Sequence, residues 1–465
     1  TQHIFEQGHR VSEVAKKLFP GGVNVPTEDF MKNTWETQAL VQQRVPIFEA
    51  GILAESIYAR ADILNPVGED EWDIIEVKSS TSVSDVHVHD VSFQKHCYEK
   101  SGLKIRQCFL TYINREYVRV GEIDPKGLFK TEDITTAVEE ASVGIQTRID
   151  DMFEMISAEE CPDIAIGKQC SHPYDCPVVS CWDFLPPNSV FDLYRGGQRP
   201  FELLENGVLT IRDIPDTFAL TEKQDIQRLC EVNGKPHVDK EGINEFLKAL
   251  RYPLHLLDFE TFDPALPLFD GSRPYQKIPF QFSLHVVRDD VSSPEHFTFL
   301  AEGIDDPRPK LLSGLKELLG DKGSIVAYNQ SFERSVLEEL GQAFPDYREW
   351  LEGVCSRLVD LLIPFRSFHY YHPAQKGSAS LKQVLPALTG MSYEGLGITN
   401  GQDAGIAFQQ ATYGDASQEQ RKSVRAALEK YCGLDTEGMM RIIGKLGELA
   451  GMHPQRAYSQ LNFDW

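Results

Sequence analysis

Two short apolar segments, far apart in the chain, carry charged residues at the spacing of one strand face: WDIIEVKSS at 72–80 and LHLLDFET at 254–261. In both, aliphatic and aromatic residues surround the charges, as in a strand that enters a hydrophobic core. Side chains two positions apart on a strand share a face, so each segment presents two polar groups together. A chain of 465 residues is also too long for one core. The sequence therefore predicts two domains, each built around one of these strands.

Strand-like and helix-like segments alternate around both strands, which predicts an α/β fold class with two domains. In the N-terminal half, strands are expected at 105–114 and at 116–123, and one helix from about 131 to 156. A new α/β unit begins at Pro253. The predicted organisation is a first domain at 1–160, a cysteine cluster at 161–182, a partly helical connector at 183–250 and a second domain at 251–449.

The first group of candidate site residues comes from two strands and a helix. RADIL ends a strand-like run with Asp62, and the next strand carries Glu76 and Lys78 on one face. If the strands pair, two carboxylates and an ammonium converge, which is the set that metal-dependent phosphodiester hydrolysis needs. The alternative is a solvated strand face. Gln94 and Tyr98 follow at i, i+4 on a predicted helix and therefore share one helix face.

This series resembles the RecB-type branch of the PD-(D/E)XK nucleases, which includes the CRISPR-associated RecB-like exonucleases. The resemblance implies a restriction-endonuclease-like fold for residues 1–160 and Mg²⁺ or Mn²⁺ as cofactor. At the matching positions it implies metal ligands at Asp62 and Glu76, a catalytic Lys78, and helix residues near the substrate at Gln94 and Tyr98. Members often have an acidic residue or a histidine on the first helix, where this sequence has Glu13 beside Ser12.

Four of the nine cysteines, Cys161, Cys170, Cys176 and Cys181, lie close together between the two domains. No secretory signal is evident, so metal ligation is favoured over disulfides. Several RecB-type nucleases carry an iron–sulfur cluster whose last three cysteines follow the nuclease core. The resemblance implies a 4Fe–4S cluster, with Zn²⁺ as the alternative. The fourth ligand is then expected before Thr1 or at Cys161, and His172 is a minor candidate.

The second group of candidate site residues is acidic. Asp258 and Glu260 share a face at the end of their strand, Glu333 lies in a first helical turn, and Tyr431 and Asp435 share a helix face. Four carboxylates from three elements suit two cations about 4 Å apart, and a tyrosine hydroxyl can position the attacking water. The set resembles the tyrosine-bearing branch of the DEDD exonucleases, which have a ribonuclease H-like fold, over residues 251–445. The family has Asp where this chain has Glu333.

Aromatic and basic residues alternate between these acidic motifs, a combination that suits unpaired bases and backbone phosphates. The candidates for nucleic-acid binding are Arg366, Tyr370, Tyr371, Lys376 and Lys382, with Phe368, His369 and His372 in the same segment. A core aromatic cluster with a solvated rim is the alternative for any one of them.

The order of both modules with cysteines between them resembles a bacterial family of RecB-like and DEDD-like fusion proteins. The expected function is a metal-dependent nuclease on DNA, exonucleolytic on single-stranded or end-bearing substrates, in repair or defence. The alternatives are an RNA-processing exonuclease and a nucleic-acid-binding protein with one site inactive. The net charge of −24 does not exclude such a partner, because bound cations reverse the local field. Without a signal peptide or an apolar run of about 20 residues, a cytoplasmic location without membrane partners is expected.

Overall fold

A computed structural model of the protein describes residues 2–289 and 293–451. It is a mixed α/β structure with about 46% helix and 18% strand, and with several sheets. The chain forms two compact units. Unit 1 comprises the described residues up to Ala165 together with Asp263–Gln276, and unit 2 comprises Ile166–Phe262 and the described residues from Lys277 onward. The segment 263–276 therefore belongs to unit 1, although in sequence it falls within the predicted second domain.

Unit 1 is built on a six-stranded sheet whose spatial order follows the sequence, β1 to β6. The pairs β1–β2 and β4–β5 are parallel, and the other pairs are antiparallel. The strands are β1 Val23–Asn24, β2 Ile47–Ala54, β3 Ile57–Val67, β4 Glu71–Lys78, β5 Lys104–Ile113 and β6 Phe129–Asp133. The helices are α1 Gln2–Ala15, α2 Phe30–Val41, α3 Asp85–Lys100, α4 Pro125–Leu128, α5 Thr135–Ser142 and α6 Ile145–Ile156.

The core of unit 1 lies against this sheet. Six consecutive residues of β4, from Trp72 to Val77, are buried, which is why the charged Glu76 is held inside the fold. On one sheet face β4 meets the cluster that contains Trp72 and Ile74, and on the other it meets the cluster that contains Ile75 and Val77. Strand alternation produces this division, because successive side chains point to opposite faces.

Two of the sequence expectations for unit 1 were wrong. The segment 116–123 does not form a strand; instead the guanidinium of Arg119 donates to the carbonyls of Pro267 and Leu268, in the segment 263–276. The single helix expected at 131–156 is β6 followed by α5 and α6. Gly144, with a positive φ of 71°, separates the two helices, and glycine adopts this conformation without steric cost.

Unit 2 contains a five-stranded sheet in the order β10-β9-β8-β11-β12 and a two-stranded sheet, β13-β7. β8, β11 and β12 are mutually parallel, while β9 is antiparallel to β8 and to β10. The strands are β7 His237–Val238, β8 Leu254–Phe262, β9 Ile278–Val287, β10 Glu295–Leu300, β11 Ser324–Ala327, β12 Leu358–Asp360 and β13 Tyr370–Tyr371. Every residue of β9 is buried.

The helices of unit 2 lie before, between and after these strands. They are α7 Arg199–Glu205, α8 Glu222–Asn233, α9 Lys240–Ala249, α10 Arg308–Leu318, α11 Ser331–Ala343, α12 Arg348–Ser356, α13 Ile363–Arg366, α14 Leu381–Thr389, α15 Gly401–Tyr413 and α16 Gln418–Leu449. The long helix α16 packs on β8 and β9, so residues at its middle face the central strand. Among the residues that the structure describes, no helix combines the length and the apolar character needed to cross a membrane.

Candidate active sites

The first candidate site lies where β3, β4 and α3 meet in unit 1. Asp62 on β3 accepts a hydrogen bond from the backbone N–H of Val77 at 2.7 Å. On β4, the Lys78 ammonium lies 2.7 Å from Oε1 of Glu76, whose Oε2 accepts a hydrogen bond from Gln94 on α3 at 2.9 Å. The structure thus brings together four of the five residues predicted for this site.

Burial dominates the electrostatics of this site. It raises the pKa of Asp62 well above its usual value, and the charge of Glu76 adds to the effect. Burial also raises the pKa of Glu76, which Lys78 opposes. Burial alone would lower the pKa of Lys78, but the carboxylates of Glu76 and Asp90 reverse this and raise it. Lys78 therefore carries its positive charge at neutral pH beside the buried carboxyl of Glu76 and the partly exposed carboxyl of Asp90.

Tyr98, the fifth predicted residue, lies in the core. Its ring is fully buried, its hydroxyl donates to the carbonyl of Ala50, and it accepts from the N–H of Ala61 at 3.1 Å. The prediction that Tyr98 lies near substrate is corrected: its hydroxyl ties α3 to β2 and β3. Because α3 also carries Gln94, Tyr98 fixes the position of the helix that contacts Glu76.

Two acidic residues of this site were missed from the sequence. Asp90, one helical turn before Gln94, lies 2.7 Å from the Lys78 ammonium, and the i, i+4 spacing could have revealed it. Glu49 on β2 has a positive φ of 58°, and its charge raises the pKa of Asp62. A non-glycine residue in this conformation is uncommon and marks a position worth attention. No sequence pattern shows such a local kink.

The first helix and a distant segment complete the surroundings of the first site. Glu13 on α1 is 66% exposed and pairs with Lys16 at 2.7 Å, so it does not join the buried carboxyls. Tyr275, from the segment 263–276, donates its hydroxyl to the carbonyl of Ser79, the residue after Lys78. Sequence reasoning missed Tyr275 because nothing in the local pattern indicates that its segment belongs to unit 1.

The second candidate site lies in unit 2, where α16 crosses β8. Asp258, Glu260 and Cys432 offer ligand atoms that all lie within 4.8 Å of one another. Among the described residues this is the one group of three or more potential metal ligands with that geometry. The thiol of Cys432 donates to Oδ2 of Asp258 at 3.4 Å. Cys432 was not among the predicted site residues, although it follows Tyr431 directly.

The second site has four carboxyls that influence one another's pKa. Burial raises the pKa of Asp258 well above its usual value, with Asp435 and Glu260 as the largest neighbouring charges. Burial likewise raises the pKa of Glu260 and of Glu333 to about 8, and that of Asp435 to about 7. Such buried carboxylates are costly unless a cation or a proton compensates them.

The residues of the second site fit a divalent cation. Oε2 of Glu333 is buried and has no hydrogen-bond partner among the described residues, and an unpaired buried carboxylate oxygen needs a cation or a water. Hard oxygen donors are the ligands that Mg²⁺ and Mn²⁺ prefer, while the sulfur of Cys432 favours softer ions. Asp258, Glu260, Glu333 and Asp435 are the residues that would hold the ion.

Two tyrosines and a lysine surround Asp435. The hydroxyl of Tyr393, in the loop after α14, donates to Oδ1 of Asp435. The ring of Tyr431 lies 6.0 Å from that of Tyr393, and the Lys382 ammonium lies 5.5 Å from the Tyr431 ring. The charge of Lys382 lowers the pKa of both Glu260 and Asp435. Tyr393 was missed because its loop has no periodic pattern.

The carboxyl end of β12 adds Asp360, which the sequence analysis also missed. Its Oδ1 accepts from the N–H groups of Asn329 and Leu362, both at 3.0 Å, and Arg366 lies 3.6 Å away. Its charge raises the pKa of Glu333. The signal was present, because an Asp at the end of an apolar strand resembles the arrangement of Asp258.

The predicted nucleic-acid-binding residues divide into two kinds. Tyr370 and Tyr371 form β13 and are 4% and 1% exposed, with Tyr371 stacked on Phe368 at 5.0 Å. The prediction is corrected for these two rings, which are core residues that have no face free for a base. Arg366 and Lys376 are exposed, and Lys382 lies at the second site as described above.

The predicted cysteine ligands lie in an irregular segment with two short 3-10 turns. Cys161, Cys176 and Cys181 are exposed and Cys170 is half-buried. Within the described ranges, their sulfurs do not form a group with metal-ligand spacing. The N–H of Cys176 donates to the carbonyl of Cys170 at 2.8 Å, which brings these two residues together.

Comparison with known proteins places residues 255–380, which include Asp258, Glu260 and Glu333, in a match to the family described as "Domain of unknown function (DUF2779)". The "Uncharacterized protein MG366 homolog" of Mycoplasma pneumoniae is 28% identical over 231 residues, 44% of this chain and 34% of that protein. "Uncharacterized protein MG366" of Mycoplasma genitalium is 24% identical over 205 residues, 40% of this chain and 31% of that protein. The chain thus spans about a third of the length of the curated relatives it matches.

Among solved structures, the family B DNA polymerase of the hyperthermophilic archaeon Pyrobaculum calidifontis is similar with 17% identity and a TM-score of 0.28. The match covers 44% of this chain and 27% of the polymerase. The DUF2779 match at residues 255–380 lies mostly in unit 2 and includes the segment 263–276 of unit 1.

Proposed function

We propose that the protein is a divalent-metal-dependent nuclease that hydrolyses phosphodiester bonds of DNA at two separate active sites. The observation that carries the proposal is the group of carboxyls on β8, α11 and α16, in which one buried oxygen of Glu333 has no partner among the described residues. Bound Mg²⁺ or Mn²⁺ would supply charge stabilisation and an activated water for phosphodiester hydrolysis.

The position of the second site in its sheet supports this proposal. β8, β11 and β12 are parallel, and Glu260, Asn329 and Asp360 lie at or just beyond their carboxyl ends. In open α/β sheets, ligands bind outside the carboxyl ends of the strands. Tyr431 and Tyr393 add two hydroxyl groups beside Asp435, where a hydroxyl can orient a water for in-line attack.

The first site supports a second hydrolytic centre. Glu76 is paired with a lysine that remains protonated, Asp62 lies on the neighbouring strand, and the Lys78 ammonium can stabilise charge that develops on a phosphoryl oxygen. Oε1 of Gln94 is buried and has no partner among the described residues. The first site therefore also contains an oxygen that is available to contact a cation or a water. Asp62 and Glu76 are the residues that would hold the ion.

At the finer level, we assign unit 1 to the RecB-type PD-(D/E)XK nucleases and unit 2 to the DEDD exonucleases with a ribonuclease H-like fold. The supporting features are the order of Asp62, Glu76 and Lys78 on adjacent strands and the carboxyl set of unit 2. The cysteine cluster would hold a 4Fe–4S cluster, with Zn²⁺ as the alternative. The substrate would be single-stranded or end-bearing DNA, in repair or defence.

The test is digestion of end-labelled single- and double-stranded DNA and RNA with Mg²⁺ or Mn²⁺. The wild type, Lys78→Ala, Asp258→Ala and the double variant are compared. We expect DNA cleavage that each single variant reduces and the double variant abolishes. Cleavage by the double variant at the wild-type rate would overturn the proposal, and cleavage of RNA alone would replace DNA with RNA as substrate.

A further inference from the structure

Unit 2 contains a cavity of about 380 Å³ whose lining includes two tyrosines and two arginines. Its lining includes Tyr194, Arg195, Asn329, Arg366, Ser380 and Leu381. Tyr194 and Arg195 come from the segment before α7, which the sequence analysis treated as a connector. Asn329 follows β11, Arg366 follows β12, and Ser380 and Leu381 lie at the N-terminus of α14. Residues far apart in sequence therefore form one cavity.

The cavity adjoins the second carboxylate site through shared elements. Asn329 lies four residues before Glu333, and its N–H binds Asp360, whose charge acts on Glu333. Leu381 directly precedes Lys382, whose ammonium acts on Glu260 and Asp435. A ligand in the cavity therefore lies next to the segments that carry the carboxyls.

The charges around the cavity favour an anionic ligand, although the chain has a net charge of −24. The Arg195 guanidinium lies 5.5 Å from the Tyr194 ring centroid, and the Lys223 ammonium lies 5.8 Å from the same ring. Arg195 and Arg366 are exposed. Asp360, the nearby carboxylate, is buried and engaged by two backbone N–H groups and by Arg366.

Tyr194 is held with one side packed and is half-buried. Its ring packs edge-to-face on Phe368 at 4.9 Å, and its backbone N–H donates to Gln227 at 2.8 Å. A ring fixed in this way loses little conformational entropy when another flat group stacks on it. Arg195, the next residue, has a positive φ of 47°, so the chain bends sharply at this point.

We propose that this cavity binds one nucleotide of an unpaired DNA strand, with the base against Tyr194 and the phosphate between Arg195 and Arg366. Bases stack on aromatic side chains, and guanidinium groups bind phosphate oxygens with two hydrogen bonds. A base within a duplex has no free face, so the cavity selects single strands. This inference rests on the proposed nuclease function and names the strand that the second site receives.

The test is the affinity for a fluorescein-labelled oligothymidylate, measured by fluorescence anisotropy with Ca²⁺ in place of Mg²⁺. Tyr194→Ala is expected to raise Kd about tenfold, since stacking contributes about 1–3 kcal/mol per base. Arg195→Gln is expected to raise Kd severalfold and to lower the slope of log Kd against log salt by about one. Tyr194→Phe retains the ring and should bind like the wild type.

Arg348→Ala is the matched control, because Arg348 is an exposed arginine of unit 2 that lines a different cavity. It should leave Kd unchanged. Because Arg195 is exposed, its substitution leaves the core intact and keeps the test valid if Tyr194→Ala destabilises the fold. Wild-type affinity in Arg195→Gln, at both low and high salt, overturns the inference while DNA cleavage by the wild type still supports the nuclease.

Two further binding experiments, with duplex DNA and with thymidine monophosphate, identify the ligand. Duplex DNA that competes as well as the oligothymidylate, or thymidine monophosphate that binds as tightly, would overturn the assignment to an unpaired strand. Weak competition by both supports it. A wild type that neither binds the oligothymidylate nor cleaves any polynucleotide contradicts the proposed function itself, which separates that failure from failure of the cavity assignment.

Discussion

Gln94 donates a hydrogen bond to Oε2 of Glu76 at 2.9 Å, and this bond joins α3 to β4 at the first site. Oε1 of Glu76 meets the Lys78 ammonium at 2.7 Å, so both oxygens of one buried carboxylate are oriented. The helix that supplies Gln94 is fixed by the Tyr98 hydroxyl bound to two strands. The first site is therefore held by a helix that is itself anchored in the core.

Gln94 is expected to act as a positioning residue. Gln94→Ala removes the bond that orients Glu76, and changes of this kind cost about 10- to 100-fold in metal affinity or activity. We predict a higher Mn²⁺ requirement for cleavage, with activity partly restored at saturating Mn²⁺. Gln107→Ala, at a half-buried glutamine on β5 that binds Asp133, is the control. An unchanged Mn²⁺ dependence would show that the bond to Glu76 has no role in metal binding.

Lys78 is expected to contribute directly to catalysis at the first site. Lys78→Ala removes the ammonium that faces Glu76 and Asp90, and we predict a loss of rate on the order of 10²-fold or more. Lys95→Ala is the matched control, because Lys95 lies on α3 and pairs with Glu99 at 2.8 Å rather than with a carboxyl of the site. Single-turnover cleavage of end-labelled DNA in an Asp258→Ala background is the measurement, so that the second site does not contribute to the rate. Full activity in both Lys78→Ala and Glu76→Ala would remove the first site from the mechanism.

The strands that carry Glu76 and Asp258 could be predicted because charged residues inside apolar runs leave a clear pattern. The helix that carries Asp435 was also predictable from its spacing with Tyr431. Tyr275, by contrast, reaches the first site from a segment far away in sequence. Long-range placement of this kind depends on tertiary packing, which local propensity does not encode.

The prediction that Tyr370 and Tyr371 bind nucleic acid was wrong because the residue types of the segment fit two different structures. An alternation of aromatic and basic residues looks the same for a binding surface and for a core with a charged rim. The pairing of β13 with β7 buries both rings, and that pairing has no signal within the segment itself. Glu49 could not be predicted for a different reason: its positive φ is a property of the folded backbone, and no residue pattern around it indicates that conformation.

The cysteine segment is expected to be a folding element that binds a cluster. Protein purified without oxygen should be brown, with the broad visible absorbance of an iron–sulfur centre. Replacing Cys176 by Ser should lower the melting temperature and the soluble yield, because metal-binding energy is folding energy. Cys355→Ser, at a buried cysteine in unit 2 outside the segment, is the control for loss of colour. Colourless protein with one bound zinc would establish the Zn²⁺ alternative.

The buried carboxyls of the second site predict that metal-free protein loses stability as pH rises. Burial raises the pKa of Glu260 and of Glu333 from 4.5 to about 8. The folded state therefore holds protons that the unfolded state releases, so the free energy of unfolding falls between about pH 4.5 and pH 8. Melting temperatures in EDTA should fall across this range, and Mn²⁺ should reduce the fall because it stabilises the ionised carboxylates.

Glu333→Gln provides the control for this pH dependence. It keeps the size of the side chain but removes one of the carboxyls that titrate, so its melting temperature in EDTA should fall less than that of the wild type over the same range. Equal slopes for the two proteins would show that Glu333 does not carry a raised pKa.

The second site should act as an exonuclease that does not depend on the first. Asp258→Ala is expected to abolish a 3′-end-dependent activity that survives in Lys78→Ala. Tyr431→Phe should cause a smaller loss, because the carboxyls remain and Tyr393 still donates to Asp435. The measurement is the stepwise shortening of 5′-labelled single strands as nucleotides leave their 3′ ends. Loss of all cleavage in Lys78→Ala alone would instead indicate that unit 2 serves only to bind substrate.

If Lys78→Ala alone abolishes all cleavage, Glu333→Asp shows why the second site is inactive. Oε2 of Glu333 has no partner among the described residues, and its side chain is one methylene longer than the aspartate of the DEDD family. If the extra length displaces the carboxylate from a cation, Glu333→Asp restores cleavage in a Lys78→Ala background. Glu338→Asp, a substitution on the same helix at a residue lining another cavity, controls for the change in α11. Continued silence with unchanged Mn²⁺ binding would mean that unit 2 retains its carboxyls for binding alone.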